Sequence, residues 1–249
     1  MRLSLIPLAA ALTLLANTVF AGGLGEMTDT ERAAFRDEVK QYLLENPEVI
    51  TEAMQVLQDR QNQAAVAQEQ MDLTQNADAI FKDPTSWSGG NPDGDITVVE
   101  FMDYRCPYCR KAFSEVEDLV KTDGNIRFVV KEYPILGEDS TNSSRFALAM
   151  RMLHGDDAYK QTYDALITLK GSADPETLSR LARDLGFDPK PILDLMQDPK
   201  IAAILAANRT LADKLNITGT PTFVIDHTML RGYAPEADMR KMVVEQRAD

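Results

Sequence analysis

The chain has 249 residues, of which 44% are hydrophobic and 26% are charged, and its formal net charge is −13. A chain of this length can bury a sizeable core, as one large domain or as a domain with an appendage. The acidic excess argues against binding to nucleic acid or to an anionic membrane surface, because both favour a basic face.

Residues 1–21 have the pattern of a signal peptide: Arg2 gives a positive start, an apolar run follows, and Ala21 is a small residue suited to cleavage. The solidly apolar part is shorter than the ~18 residues that a membrane span needs, which favours cleavage over an uncleaved anchor. We therefore expect an exported protein of the periplasm, an oxidising compartment, with no membrane insertion after cleavage near Gly22.

Residues 28–81 predict a helical segment with its own start signals. The sequence TDTE indicates a capping box, with Thr28 as N-cap and Glu31 reaching back to it. In ENPEVI, Asn46 can cap a second helix, and Pro47 suits its first position because a proline there loses no hydrogen bond.

The second helix carries a weak heptad of apolar residues: Ile50, Leu57, Ala64 and Met71. Its middle, QNQAAVAQEQ, offers little large apolar surface to bury. Two interpretations stay open, a helix lying on the main domain and a stalk through which chains assemble. We favour the stalk, because a long, polar, isolated helical pair needs partner chains to be stable. A homo-oligomer formed through residues 28–81 is therefore expected.

A turn-rich stretch, DPTSWSGGNPDGD at 83–95, predicts the start of the main domain. ITVVEFM at 96–102 and IRFVVKEYPI at 126–135 predict buried strands, because both are rich in β-branched residues. An amphipathic helix lies between them. Strand, helix and strand in this order are typical of a right-handed parallel unit.

The rest of the chain predicts a helical insertion at about 140–216, a hairpin at 222–233 and a last helix at 235–246. The fold class is therefore α/β. We divide the chain into a signal peptide (1–21), an N-terminal helical segment (22–82) and the main domain (83–249).

The only two cysteines, Cys106 and Cys109, stand three residues apart at the start of the first helix of the main domain. Pro107 suits the first helical position, and the helix N-terminus favours an anion at Cys106, so the pKa of this thiol should lie below the ~8.5 of free cysteine. Cys109 lies one turn deeper, and we expect only Cys106 to face outward. A ring this small adds little loop-closure stabilisation, which favours redox use over a structural role.

Three other roles for the pair stay open. A structural disulfide would hold no distant elements together. A zinc site would need two more ligands, and the chain offers only His154 and His227, which we interpret as cap and turn residues. A Cys–His hydrolase is disfavoured because a second cysteine would oxidise the nucleophile. We therefore expect no metal and no cofactor besides a redox-active Cys106–Cys109 disulfide.

The second motif, GTPTF at 219–223, precedes the hairpin. We predict that the Thr220–Pro221 bond is cis, and that the Thr220 backbone is free to bind an extended substrate segment beside Cys106. The alternative is an ordinary turn proline.

Two charged residues interrupt the predicted strands. Glu100 stands six residues before Cys106, and Lys131 holds a similar place in the other strand. We predict a buried Glu100–Lys131 pair behind the cysteines that relays the proton of Cys109. The alternative is that one or both reach solvent at the strand ends.

VEFMDYRCPYC, VVKEYPILG and GTPTF, separated by a helical insertion, together resemble the DsbA-type thiol–disulfide oxidoreductases of the thioredoxin superfamily over residues 84–246. The ENPEVI helical pair is similar to the N-terminal region of the suppressor-of-copper-sensitivity protein C group. The resemblance implies a thioredoxin-like fold and these roles: Cys106 as nucleophile, Cys109 as resolving thiol, Pro221 as cis-proline, Glu100 as buried acid and Lys131 as its basic neighbour.

Two residues depart from the strongly oxidising members of that family. Tyr108 stands where those proteins carry His, and Thr220 stands where they carry Val. The loss of a donor beside Cys106 should make the disulfide less oxidising, which favours an isomerase or reductase over a pure oxidase.

We therefore predict an exported protein disulfide isomerase or oxidase that acts on exported proteins with cysteines and is reset by a membrane redox protein. Two other classes stay open. One is a chaperone-like or adhesive binding protein in which the cysteine pair is incidental. The other is a copper(I) carrier, since soft thiolates suit that ion.

Overall fold

The structure, a computed structural model, describes residues 27–248. The predicted signal peptide lies outside this range. The described chain divides into two compact units between Asn62 and Gln63. None of the helices between residues 27 and 248 has the length and apolar character that crossing a bilayer requires.

The helices and strands of residues 27–248 are α1 Asp29–Glu45, α2 Glu48–Gln75, α3 Ala77–Phe81, β1 Trp87–Gly90, β2 Ile96–Met102, α4 Pro107–Asp123, β3 Ile126–Glu132, α5 Glu138–His154, α6 Asp156–Thr168, α7 Pro175–Asp184, α8 Pro189–Leu195, α9 Pro199–Lys214, β4 Thr222–Ile225, β5 Thr228–Arg231 and α10 Glu236–Ala248.

The predicted capping box at the start of α1 is confirmed. The Thr28 amide donates to Glu31 Oε2 at 2.8 Å, and the Glu31 amide donates to Thr28 Oγ1 at 3.3 Å. The predicted N-cap role of Asn46 is wrong. Its side-chain amide donates to the Tyr42 carbonyl at 3.0 Å, so it closes the end of α1 instead of opening α2.

Apolar side chains of the first unit lie largely in solvent. Among the described residues of α1 and α2, Leu73 alone is buried, and it belongs to the second unit. The heptad residues Ile50 and Leu57 are 51% and 56% exposed. The first unit therefore presents apolar surface that its own described residues do not cover.

The second unit is built on a five-stranded sheet with the order β1-β3-β2-β4-β5. β2 and β3 are parallel, and the other neighbouring pairs are antiparallel. The predicted β-α-β unit, the helical insertion, the hairpin turning at Asp226 and His227, and the last helix are all present.

Strand β1 was not predicted, because its sequence, WSGG, lies in a stretch rich in turn residues. It pairs antiparallel with β3, from Trp87 opposite Val130 to Gly90 opposite Arg127. The Trp87 ring stacks on Tyr159 with centroids 5.6 Å apart, and its indole N–H donates to the Asp156 carbonyl at 3.1 Å. Packing of one large ring therefore holds an otherwise weak strand.

The two faces of the sheet carry separate cores. Val98 and Met102 of β2 face the core that contains α4 and both cysteines. Val99 and Phe101 face the other core, with Ile80 of α3. Since side chains alternate along a strand, the position of each charged residue in β2 and β3 decides which core it enters.

Candidate active site

The two cysteines lie where β2 gives way to α4. Cys106 is the N-cap of α4, with φ −72° and ψ 120°, and Pro107 is its first residue, as predicted. Both cysteines are free thiols. The short turn between strand and helix thus places Cys106 at the helix N-terminus and Cys109 one turn further in, against the sheet.

The Thr220–Pro221 peptide bond is cis, which confirms the prediction. Cys106 Sγ lies 3.1 Å from the Thr220 carbonyl oxygen, to which the protonated thiol donates. A groove of about 280 Å³ runs along this loop, lined by Thr218, Gly219, Thr220, Pro221, Thr222, Arg231 and Gly232. The helix start and the proline loop therefore meet at one sulfur, and an open groove lies beside them.

Cys106 is more covered than expected. It is 5% exposed and Cys109 is 1% exposed, so the prediction that Cys106 faces outward is wrong in extent. The Thr220 carbonyl covers part of the sulfur. The Tyr108 side chain, in contrast, is 60% exposed.

The pKa values of the two thiols shift in opposite directions. A hydrogen bond from the Cys109 thiol is the largest cause that lowers the pKa of Cys106, to about 5. Burial opposes this shift, and the Thr220 side chain and the Cys109 and Tyr108 amides support it. Burial raises the pKa of Cys109, and the neighbouring Cys106 and the charge of Glu100 raise it further. At neutral pH, Cys106 therefore favours the thiolate and Cys109 favours the thiol.

Glu100 lies in the same core as the cysteines and is 1% exposed. The Tyr163 hydroxyl donates to Glu100 Oε2 at 3.5 Å. Burial raises the pKa of this carboxyl to about 8, although the Tyr163 hydrogen bond lowers it. A carboxyl with this pKa exchanges protons near neutral pH.

The predicted Glu100–Lys131 pair is wrong. Glu100 stands opposite Val130, and Lys131 stands opposite Phe101, so their side chains enter opposite cores. The Lys131 ammonium instead lies 2.6 Å from Asp83 Oδ2 and 2.7 Å from the Ala79 carbonyl. Lys131 thus fastens α3 and the chain after it to the sheet, away from the cysteines.

The Lys131–Asp83 pair is largely buried, with the two side chains 1% and 20% exposed. Burial raises the pKa of Asp83, but hydrogen bonds from Lys131 and Thr85 outweigh it and hold that pKa at about 2. Burial lowers the pKa of Lys131, and Asp83 opposes that shift.

Sequence reasoning missed Asp103, which organises the turn before Cys106. Its carboxylate accepts from the Arg105 amide at 2.8 Å and from the Ile135 amide at 2.8 Å. Its own amide donates to Cys109 Sγ at 3.5 Å. An aspartate directly after a strand is a turn signal that could have indicated this role.

A larger cavity lies elsewhere in the described chain. It has a volume of about 610 Å³ and includes Leu148 and Met152 of α5 and Ile204 of α9, but neither cysteine. The smaller groove at the proline loop is therefore the one that lies beside the thiols.

Two sequence families match this chain. Residues 82–245 match the family described as thioredoxin, and residues 31–64 match the family described as the copper resistance protein ScsC N-terminal domain. The first match covers most of the second unit and contains both cysteines, Glu100 and the proline loop.

Solved structures agree with these matches. A thioredoxin-like oxidoreductase from Silicibacter pomeroyi is 40% identical, with a TM-score of 0.65, over 69% of this chain and 98% of that chain. Proteus mirabilis ScsC in a compact conformation is 26% identical, with a TM-score of 0.64, over 87% of this chain and 98% of that chain.

Among curated proteins, the Na⁺/H⁺ antiporter NhaA 1 of Salinispora arenicola is 30% identical over 138 residues, which are 55% of this chain and 21% of that protein. The chain thus spans about a fifth of the length of the curated relatives that it matches first.

Proposed function

This chain belongs to the thioredoxin family, with the predicted thioredoxin-like fold and an ScsC-like N-terminal region, and we propose that it is a periplasmic protein thiol–disulfide oxidoreductase. The observation that carries the proposal is the geometry of the pair: Cys106 caps the N-terminus of α4 beside the Thr220 carbonyl, and Cys109 lies one turn deeper and is 1% exposed. The pKa of Cys106 lies at about 5, whereas burial raises that of Cys109. A ready nucleophile and a protected resolving thiol are what disulfide exchange needs.

In the first step, the Cys106 thiolate attacks one sulfur of a client disulfide. A bond forms between Cys106 and that sulfur, the client disulfide breaks, and the second client sulfur leaves as a thiolate. The backbone of Thr220 and the groove at Pro221 support binding of an extended client segment beside the reacting sulfur.

In the second step, the ionised form of Glu100 accepts the proton of the Cys109 thiol, and Cys109 attacks Cys106 Sγ. The mixed disulfide breaks, the client leaves as a thiolate, and Cys106 and Cys109 become a disulfide. The client is thereby reduced by two electrons. The reverse sequence oxidises a client dithiol, and no organic cofactor or metal enters either direction.

Isomerisation starts with the same first step but does not need the attack by Cys109. A second thiol of the client attacks the mixed disulfide, the client leaves with a rearranged disulfide, and Cys106 returns to the thiolate. We propose isomerisation or oxidation of exported proteins with cysteines, with a membrane redox protein resetting the pair. The Tyr108 side chain extends into solvent and is not among the main causes that lower the pKa of Cys106. That pKa is lowered instead by hydrogen bonds from Cys109, from Thr220 and from backbone amides.

Refolding of scrambled ribonuclease tests this proposal, alongside oxidation of reduced ribonuclease by the oxidised protein. Cys106→Ser should abolish both activities. Cys109→Ser should retain the mixed disulfide but lose its resolution. Activity that survives Cys106→Ser would refute the exchange mechanism and would favour a binding protein in which the pair is incidental.

We also propose that the protein is a homo-oligomer formed through residues 28–81. The exposed heptad residues Ile50 and Leu57 support this, since apolar side chains at this spacing suit packing against a second helix. Replacing both with Glu in the full chain should lower the mass measured by light scattering to that of a monomer. The matched control is Gln58→Glu, on the same exposed stretch, which should leave the mass unchanged.

Copper(I) binding is a second candidate function, favoured by the match of residues 31–64 to a copper resistance protein. The Cys106 and Cys109 thiolates are soft ligands that suit this ion. Titration of the reduced protein with copper(I) against a competing chelator tests it, with Cys109→Ser as control. Equal affinity of the two proteins would refute binding at the pair.

A further inference from the structure

A second carboxylate, Glu132, is sealed in the same core as Glu100. It is 2% exposed and accepts three hydrogen bonds from hydroxyl groups. Oε1 accepts from Tyr104 at 2.8 Å and from Tyr159 at 2.5 Å, and Oε2 accepts from Ser144 at 2.6 Å. These donors come from the turn before Cys106, from α6 and from α5, so the carboxylate is fully enclosed by neutral partners.

The strand register places Glu132 beside Glu100. Glu132 stands opposite Met102, two positions beyond Glu100 on the same face of the parallel pair. Two steps along a strand and one strand across separate their backbones by about 8 Å. At that separation in a buried site, two carboxylates interact strongly enough to influence each other's protonation.

Packed aromatic rings connect the two carboxylates. Tyr163, which donates to Glu100, stacks on Tyr159, which donates to Glu132, with ring centroids 6.4 Å apart. The Tyr104 ring packs edge-on against Tyr163 at 5.9 Å. This packing keeps water out, so the charge on one carboxylate reaches the other with little screening.

We infer that Glu132 is a positioning residue of the exchange site, whose buried negative charge controls how readily Glu100 takes the proton of Cys109. The inference rests on the proposed function and adds a residue to it. Glu132 does not touch the reacting sulfurs. It acts through Glu100, because repulsion between the two carboxylates makes Glu100 hold a proton more firmly.

The pKa shifts agree with this arrangement. Burial and then the charges of Cys106 and Glu132 raise the pKa of Glu100 to about 8, and burial raises that of Glu132 to about 7 against its three hydroxyl donors. The charged and titratable groups around the two carboxylates are Asp103, Tyr104, Cys106, Cys109, Glu117, Arg151, Tyr159 and Tyr163. Lys131 enters the opposite core.

The experiment follows the carboxyl carbon signal of Glu100 by NMR during a pH titration of the reduced, full-length protein labelled at glutamate. Loss of that signal in Glu100→Gln assigns it. Glu132→Gln keeps the shape of the side chain and one acceptor oxygen, places an amide donor where the second oxygen accepted, and removes the charge. We expect the Glu100 midpoint to move down by about one pH unit.

A second readout is the pH dependence of resolution, measured by stopped flow after Cys106 reacts with a chromogenic disulfide. In Glu132→Gln, the part of this pH–rate profile that reports ionisation of Glu100 should also move to lower pH. Tyr159→Phe, which keeps the ring, removes one donor to Glu132 and should give part of the shift. The matched control is Thr162→Val, which removes a buried hydroxyl on α6 that donates to the Ala158 carbonyl.

An unmoved Glu100 midpoint in both Glu132→Gln and Tyr159→Phe would overturn the inference. An equal shift in Thr162→Val would overturn it too, because any disturbance of α6 would then suffice. If the wild-type protein shows no disulfide exchange at any pH, the proposed function fails instead, and the two failures remain distinct.

Discussion

Removing the Cys109 thiol should raise the pKa of Cys106, because the hydrogen bond between the two sulfurs is the largest cause of the lowered value. A hydrogen bond to a charged group contributes about 1.5–3 kcal/mol, which corresponds to about 1–2 pH units. Cys109→Ala should therefore move the Cys106 midpoint from about 5 to roughly 6–7. The helix start and Thr220 keep it below that of free cysteine.

The measurement is thiolate absorbance in the ultraviolet during a pH titration of the reduced protein, checked by the rate of alkylation with iodoacetamide. Cys109→Ala has a single thiol, so its signal belongs to Cys106. The control is Cys109→Ser, whose hydroxyl keeps a donor at the same place and should give a smaller shift.

A Cys109→Ala midpoint equal to that of the wild type would refute this reasoning. The front of α4 would then hold the anion by itself, as the sequence alone suggested. Equal shifts for the Ala and Ser variants would also refute it, because they would point to a change in packing and not to a lost donor.

Asp83→Asn should lower the free energy of unfolding by about 3 kcal/mol, because it leaves the Lys131 ammonium buried without an anion. Adding Lys131→Met should restore most of that loss in chemical denaturation, and no recovery would contradict the ion pair. The pKa of Asp83 is about 2 in the folded protein against an ordinary 3.8. Ionised Asp83 therefore contributes about 2 kcal/mol to the free energy of unfolding, a contribution that is complete above pH ~4 and is lost as the pH falls through about 2. If the stability of Asp83→Asn fell equally steeply with acid, that result would argue against this contribution. Lys131→Met should leave the thiolate titration of Cys106 unchanged, since Lys131 enters the opposite core, and a shift above about half a pH unit would restore the predicted role of Lys131. Glu100→Gln should slow resolution of a mixed disulfide about 100-fold while the first attack by Cys106 keeps its rate, and equal slowing of both steps would point to misfolding.

The sequence predicted the central strands well because their β-branched runs have one clear interpretation. Strand β2 begins and ends at the predicted residues, and β3 ends three residues earlier than predicted. Strand β1 was not predicted, because Gly89 and Gly90 are turn formers. The strand is stabilised by stacking of Trp87 on Tyr159, which is distant in sequence.

The pairing of charged residues could not be predicted, because it depends on strand register. VVE in β2 and VVK in β3 look equivalent in the sequence, and aligning them would place Glu100 beside Lys131. In the structure Val99 stands opposite Val129, which shifts that alignment by one position. A shift of one residue turns a side chain to the other face of a sheet, so Glu132 and not Lys131 shares the core of Glu100.

The reactive pair and the proline loop were predictable because each is a short motif with a fixed local geometry. The hydrogen bond between the two thiols and the closure of Thr220 over Cys106 were not, since both depend on how distant segments pack. The prediction that Cys106 faces outward was therefore wrong in extent, because the distant Thr220 packs against it.

The low exposure of Cys106 would make the proposed disulfide exchange depend on the folding state of the client. A disulfide set rigidly into a compact surface would fit poorly against a residue that is 5% exposed. A loose strand, in contrast, can thread its disulfide past the proline loop and align it with the attacking thiolate. Finished proteins would thus be spared, and chains still searching for their native structure would be the ones rearranged.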